Sequence, residues 1–248
     1  MSDAPLAIVT GAGRGIGRAC ATGLAAAGCD LALIDLDEAG TVETARLCAP
    51  QAVSVHIADV ADFRLAERAV AAIVGETGRI DVLVNNAGIS QPKGLLELTE
   101  ADWDRTLAVD LKGCFNWCRA VAPVMLDQES GGRIVNMSSL SALNGGVTSA
   151  VSKVAYAAAK AGILGLTRAL AKELGPKISV NAVCPGIIRT ELVESLTRGR
   201  EEELAGRIAM GRLGTPEDVA AVVTFLATSP TCFVNGEAIR VDGFQWVT

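Results

Sequence analysis

One histidine in 248 residues leaves little room for metal chemistry. Its companions are seven cysteines, Cys20, Cys29, Cys48, Cys114, Cys118, Cys184 and Cys232, which form no C-x-x-C pair, so no zinc site is legible. Small buried hydrophobes in a reducing compartment are the better reading of those thiols. Excess basic charge is also lacking: the formal net charge is −6, which offers no general field for nucleic acid. Half of the residues are hydrophobic, yet no apolar stretch reaches the roughly 20 residues of a membrane helix. The N-terminus shows no basic segment followed by an apolar run, so no signal peptide is read, and no long linker, repeat or low-complexity tract interrupts the chain. The expectation is a cytoplasmic protein with one domain spanning 1–248 and one large core, acting on a small molecule without nucleic-acid or membrane partners.

What is present begins with a strand-like run, Leu6 to Val9, that passes straight into Thr10-Gly11-Ala12-Gly13-Arg14-Gly15-Ile16-Gly17. An Ala-, Leu- and Cys-rich helix is expected from Arg18 to Gly28. The glycines then lie between the carboxyl end of a strand and the amino end of a helix. There, unpaired N–H groups and a positive helix dipole favour a pyrophosphate. The spacing G-x-x-x-G-x-G differs from the G-x-G-x-x-G dinucleotide fingerprint.

The next run, Asp30 to Ile34, ends in Asp35, about two dozen residues after Gly11, where a dinucleotide fold carries the acid that holds the adenosine ribose. Asp35 argues for NAD over NADP. A 2′-phosphate a few ångströms from that carboxylate meets repulsion of about 4 kcal/mol at an effective dielectric of 20. Arg14 pulls the other way, because a guanidinium in the turn can hold a 2′-phosphate, lie on the adenine or face solvent.

Further strand-like runs at 52–57, 80–84, 133–137, 178–183 and 238–241 alternate with helix-length segments. This is the pattern of an α/β fold, a doubly wound Rossmann-type parallel sheet of about seven strands with helices on both faces. Asp35, Asp59, Asn86, Ser139 and Pro185 each follow a strand, so they gather at the edge where such sheets bind ligands. His56, in the third strand, reads as a structural or rim residue. Tyr156 and Lys160 stand one helical turn apart. A phenol with a pKa of roughly 10 is a poor base near neutrality, and a neighbouring cation favours its phenolate.

In these motifs the chain resembles the short-chain dehydrogenase/reductase family over essentially its whole length, including 3-oxoacyl-[acyl-carrier-protein] reductase-like and polyol dehydrogenase-like members. Thr10-Gly11 to Gly17 resembles the family's cofactor loop, Asp59-Val60 its adenine contact, and Asn85-Asn86-Ala87-Gly88 the turn after strand four. Tyr156 to Lys160 resembles its catalytic pair, and Pro185-Gly186-Ile187-Ile188-Arg189-Thr190 the nicotinamide-side loop. The resemblance implies that Gly11, Arg14, Gly15, Ile16, Gly17, Asp35, Asp59, Val60, Asn86, Ala87, Gly88, Pro185, Gly186, Ile188 and Thr190 bind NAD together with Tyr156 and Lys160. It also implies that Tyr156 moves the substrate proton, that Lys160 lowers the tyrosine pKa and holds the nicotinamide ribose, and that Ser139 rather than Ser138 hydrogen-bonds the substrate oxygen.

Two features depart from the family. The interval from Ser139 to Tyr156 is about four residues longer than usual, with 147–153 filling it beside the substrate. Asp110 stands where the family carries a catalytic asparagine. It is expected to bind a relay water, pair with Lys160 or alter proton traffic.

The charged stretch 190–212 reads as a lid or, in its outer part, a solvated helix, and Arg189 is the basic residue placed to meet an anionic substrate. A secondary alcohol such as a polyol, sugar or hydroxy acid is the expected substrate. A 3-oxoacyl-[acyl-carrier-protein] reductase is the alternative, which Asp35 and the acidic Asp127-Gln128-Glu129 disfavour. A cofactor-binding regulatory protein without turnover is the reading from another class. The small residues Ala157, Ala158, Ala161, Gly162 and Gly165 let a helix approach a partner. With the resemblance they imply a homotetramer whose tail, Phe244 to Val247, caps a neighbouring subunit or its substrate pocket.

Overall fold

The computed structural model describes residues 3–146, 152–191 and 199–245. Every residue of Leu6–Thr10 (β1) is buried, as a strand covered on both faces must be. Helix α1 (Gly15–Ala26), β2 (Asp30–Asp35), α2 (Glu38–Leu47), β3 (Val53–Ile57), α3 (Phe63–Thr77) and β4 (Val82–Asn85) follow. Then come α4 (Glu100–Leu107), a π-helical turn (Ala108–Lys112), α5 (Gly113–Asp127), β5 (Gly132–Met137), α6 (Ser141–Asn144) and α7 (Val154–Leu174). The described chain closes with β6 (Ile178–Pro185), α8 (Glu201–Ala205), α9 (Pro216–Thr228) and β7 (Ala238–Val241).

The strands form one sheet in the order β3-β2-β1-β4-β5-β6-β7, and every pairing is parallel. Strand order therefore reverses between β1 and β4, which opens a crevice at their carboxyl ends. Alternation along each strand divides the core into two layers. Leu6, Ile8, Leu83 and Ile134 pack with Val70 of α3, Trp117 of α5 and Ile163 of α7. Ala7, Val9, Val84 and Val135 pack on the other face with Leu24 of α1 and Val223 of α9. Helix starts are fixed locally: Asp62 accepts from the N–H groups of Arg64 and Leu65, and Thr99 and Thr215 close capping boxes. Among the described residues no helix is long and apolar enough to cross a membrane.

Three boundaries differ from the sequence expectation. Helix α1 begins at Gly15, not Arg18, so Gly15 and Gly17 belong to its first turn. The run at 52–57 contains an edge strand, Val53–Ile57, with Val53 to His56 half-buried and Ile57 exposed, because the sheet ends there. Its His56 pairs with Ser54 (Nε2 to Oγ, 3.0 Å). Strand β6 continues past Val183 to Pro185, which still pairs with Val241. In the 190–212 stretch, residues 192–198 lie outside the described residues. Arg200 and Arg207 pair with Glu203, while Leu204, Ile208 and Leu213 pack with Ile187.

Gly17 is where backbone proximity forbids any side chain. A Cβ there would collide with the carbonyl oxygen of Gly11 and come within 2.6 Å of Asn86 Nδ2. Gly17→Ala is expected to destabilise the protein by at least the roughly 1–3 kcal/mol of an overpacked core. A denaturant midpoint equal to that of the wild type contradicts this.

Candidate active site

The cleft at the carboxyl ends of the strands has a volume of about 560 Å³, within the usual range for a ligand site. Every candidate residue of the sequence reading except Asp110 and Arg189 lines it. The glycine turn forms one wall. Gly11 and Gly15 take positive φ (65° and 53°), as the sharp change of direction after β1 requires. Arg14 precedes α1 in an extended conformation and supplies no side-chain cap. The first N–H groups of α1 are thus left for an anion at the positive end of the helix.

The turn is braced from both sides. Asn86 Nδ2 donates to the carbonyls of Thr10 (3.1 Å) and Gly11 (3.0 Å), and Thr10 Oγ1 accepts from the N–H groups of Asn86 and Ala87. On the outer side the Arg18 guanidinium donates to the carbonyl of Gly13 and to Thr44 Oγ1, and Thr44 donates to the Ala12 carbonyl. Sequence reasoning missed Arg18 and Thr44, since nothing in their spacing ties α2 to the turn.

Asp35 sits at the end of β2 with its carboxylate held by three N–H groups. Gly13 donates to one oxygen (2.8 Å), and Leu36 and Asp37 donate to the other. This fixes a negative charge against the turn, where it can accept from ribose hydroxyls. Asp59 accepts from the Ala61 N–H and pairs with Arg105 (3.1 Å). Arg105 lines the cleft too and was not foreseen.

At the other end of the cleft, α7 presents Tyr156, the chain's single tyrosine, and Lys160. Lys160 is buried, its Nζ 5.6 Å from the centre of the Tyr156 ring, and it donates to the Met137 carbonyl at the end of β5 (3.1 Å). The Ser138 hydroxyl is buried and donates to the Lys160 carbonyl. Ser139 is half-buried, and its Oγ accepts from the Ser141 N–H. Of the two serines it has the freer hydroxyl proton. Ser90 and Ser152 touch across the mouth (Oγ to Oγ, 2.9 Å); residues 147–151 of the longer loop lie outside the described residues.

Two expectations need correction. Arg189 is exposed and does not line the cleft, because the bridge between Ile188 and Gly214 turns Ile188 inward. Asp110 makes no ion pair with Lys160: its Oδ1 accepts from the Ile89 N–H (2.7 Å), and Lys160 is directed to Met137. The two charges still flank one spot, as a Cβ on Gly88 would lie 2.9 Å from Asp110 Oδ1 and 3.2 Å from Lys160 Nζ. The thiols lie outside this chemistry; burial pushes Cys20 up to about 12 and Cys29 and Cys48 to about 11.

Residues 11–243 match a family model described as enoyl-(acyl carrier protein) reductase. A 3-oxoacyl-[acyl-carrier-protein] reductase of Thermotoga maritima is 38% identical to the chain, with 97% of each covered. A 2-dehydro-3-deoxy-D-gluconate 5-dehydrogenase of Escherichia coli is 36% identical, covering 97% of this chain and 95% of its own. The crystal structure of a short-chain dehydrogenase/reductase of glucose/ribitol dehydrogenase type from Brucella melitensis has a TM-score of 0.89 at 38% identity, covering 96% and 95%.

Burial raises the Asp110 carboxyl above the ordinary range, and the Lys160 charge and the Ile89 N–H pull it only part of the way back. The folded protein thus keeps this proton to higher pH than the unfolded chain does. Stability from this group falls as pH rises between the two pKa values. Asp110→Asn is expected to be more stable than the wild type at pH 7.5, because the buried carboxylate is costly to ionise and the amide is not. The gap should close near pH 4. Urea midpoints whose difference does not change with pH contradict this.

Proposed function

The chain belongs to the short-chain dehydrogenase/reductase family, and on that premise we propose an NAD-dependent oxidoreductase that interconverts a secondary alcohol and its ketone. The observation that carries the reading is the pairing of Tyr156 and Lys160 in the cleft that begins at the uncapped start of α1. The site fits a dinucleotide by its own chemistry. Gly17 admits no Cβ, the first N–H groups of α1 are open to an anion, and the Asp35 carboxylate is fixed where hydroxyls can meet it. The glycine turn would hold the pyrophosphate, Asp35 the adenosine ribose and Lys160 the nicotinamide ribose. When bound, the nicotinamide supplies or takes the hydride.

The protein's own part is proton management. With the Lys160 ammonium 5.6 Å from its ring centre, Tyr156 takes the hydroxyl proton in oxidation and returns it to the carbonyl oxygen in reduction. Ser139 donates to that oxygen and stabilises the charge developing on it. Burial of Lys160 and its bond to the Met137 carbonyl hold the cation in place.

Polyols, sugars and hydroxy acids remain the preferred substrate class. The Escherichia coli relative, named for a sugar acid, fits that class. The Thermotoga maritima relative supports a second reading, reduction of a 3-oxoacyl thioester on acyl carrier protein. Against it stand Asp35, which disfavours NADPH, and the exposed acids Asp127 and Glu129, which would repel an acidic carrier. We further propose assembly into a homotetramer. Half-exposed Phe115 lines an apolar trough with Leu111 and Leu166, and Ala158, Ala161 and Gly165 are exposed on α7. Gly162 is taken up within the chain against Leu111. Of the tail, Gln245 accepts from the Ile187 N–H (3.2 Å), and Trp246 to Thr248 lie outside the described residues.

A screen of secondary alcohols with NAD, followed by reduced-nicotinamide absorbance, tests the activity. Tyr156→Phe should then lower turnover by about 10² to 10⁴-fold while nucleotide binding persists; near-normal turnover removes the assignment. Catalytic efficiency should favour NAD over NADP by about tenfold or more, roughly 1.4 kcal/mol, and Asp35→Ser should narrow the gap. Equal efficiency in the wild type would give the decision to Arg14. Light scattering should return four times the mass of one 25.5 kDa chain; a monomeric mass at micromolar concentration contradicts assembly.

A further inference from the structure

Beside Asp110 lies a second, smaller cavity of about 10 Å³, walled by Thr10, Asn85, Asp110, Cys114, Trp117 and Met137 among others. That is the room needed for one water molecule. Two of these walls carry buried polar atoms without a hydrogen-bond partner, Oδ2 of Asp110 and Nε1 of Trp117. The first only accepts when ionised and the second only donates. Asp110 is 1% exposed and Trp117 is fully buried. An unmet group of this kind costs roughly 1–3 kcal/mol, more when charged. A donor and an acceptor on the walls of one water-sized space satisfy each other through a bridging molecule.

We infer that a buried water bridges the Trp117 indole N–H and the Asp110 carboxylate, and that Trp117 is thereby a positioning residue holding Asp110 charged behind Lys160. The π-helical turn at 108–112 carries Asp110 and runs directly into α5, which carries Trp117. The indole donates to the water, and the water donates to Oδ2, with Thr10, Asn85 and Cys114 as polar walls for its second proton. The inference rests on the oxidoreductase reading only for its catalytic consequence. Ionised Asp110 offsets part of the Lys160 field that acts on the proton transfer at the end of the cleft.

The charged or titratable groups facing Asp110 are few. Helix α7 brings Lys160 and α5 brings Cys114. Strands β1, β4 and β5 bring Thr10, Asn85 and Met137, and the segment after β3 brings Val60. Helix α4 turns its buried Thr106 inward while Asp104 and Arg105 are exposed.

Two readouts test this. In the oxidation reaction, Trp117→Phe should move the acid limb of the kcat/KM profile to lower pH by about half a unit. Asp110→Asn should move it at least as far, as expected when a charge a few ångströms away is neutralised. Trp117→Phe made in the Asp110→Asn background should add nothing. A shift of equal size in both backgrounds overturns the inference, because a merely structural tryptophan acts without Asp110.

The second readout uses ¹⁵N-labelled protein free of cofactor, which has three tryptophans. The Trp117 indole resonance, assigned by its loss in Trp117→Phe or through contacts with Ile163, should show cross-relaxation with a long-lived water. It should also titrate with pH, and Asp110→Asn should abolish the titration. An indole with no water contact and no pH response overturns the bridge whether or not any alcohol is turned over, and the wild type and Asp110→Asn suffice for this arm.

Discussion

The clamp between Thr10 and Asn86 is the constraint on which the cleft depends. Parallel strands give no direct tie between the turns that leave them, because each turn departs into its own helix. Here the Asn86 amide bonds two carbonyls of the β1 turn, and the Thr10 hydroxyl accepts from two N–H groups of the β4 turn. The two sides of the strand-order reversal become one unit. This explains why Gly17 cannot carry a side chain: the clamp brings Gly11 and Asn86 against it. The open N–H groups of α1 and the Gly88 backbone beside Lys160 are then set relative to one another before any ligand arrives, which is how a site avoids reorganising at the moment of reaction.

Charge is distributed along the cleft so that Asp35 and Asp59 each have a local partner. Asp35 is held by three N–H groups and Asp59 by one N–H and Arg105. Neither faces the other's charge unscreened, although both project from the same edge of the sheet. Lys160 is treated differently: a backbone carbonyl and the face of Tyr156 surround it, and among the described residues no carboxylate forms an ion pair with it. A salt bridge would fix the lysine more tightly but would spend its field on the partner. The arrangement leaves that field directed at the phenol.

The fold was largely legible because buried parallel strands announce themselves as short apolar runs, and six further runs after Leu6–Val9 alternate with helix-length segments. What failed were ends. Helix α1 starts three residues early because glycine fits its first turn, and β6 runs on through Pro185 because the neighbouring Val241 has a place for it. In the cleft, residues that follow strands could be placed from sequence, since the sheet puts all carboxyl ends on one edge. Arg105, Arg18 and Thr44 could not, because each acts on a residue more than twenty positions away through a side chain whose reach no local pattern encodes. Arg189 misled for the opposite reason, its position in the loop being right and its direction wrong.

Asp110 shows where composition and geometry part. Sequence alone let it bind a relay water, pair with Lys160 or alter proton traffic, and of these the ion pair with Lys160 is not formed. Asp110 faces a different cavity, bonded through Oδ1 to the Ile89 N–H. That bond is one an asparagine carbonyl makes equally well, so the positioning of the β4 turn survives the exchange of amide for carboxylate. What changes is the second atom, an amide donor replaced by an acceptor that burial penalises. A site can accept such a change only if the neighbouring space is polar or the field of a cation reaches it, and both hold here. Fixed positions therefore follow from the hydrogen bonds that shape the turn, while the charge carried at those positions is free to vary and to tune the proton chemistry next to it.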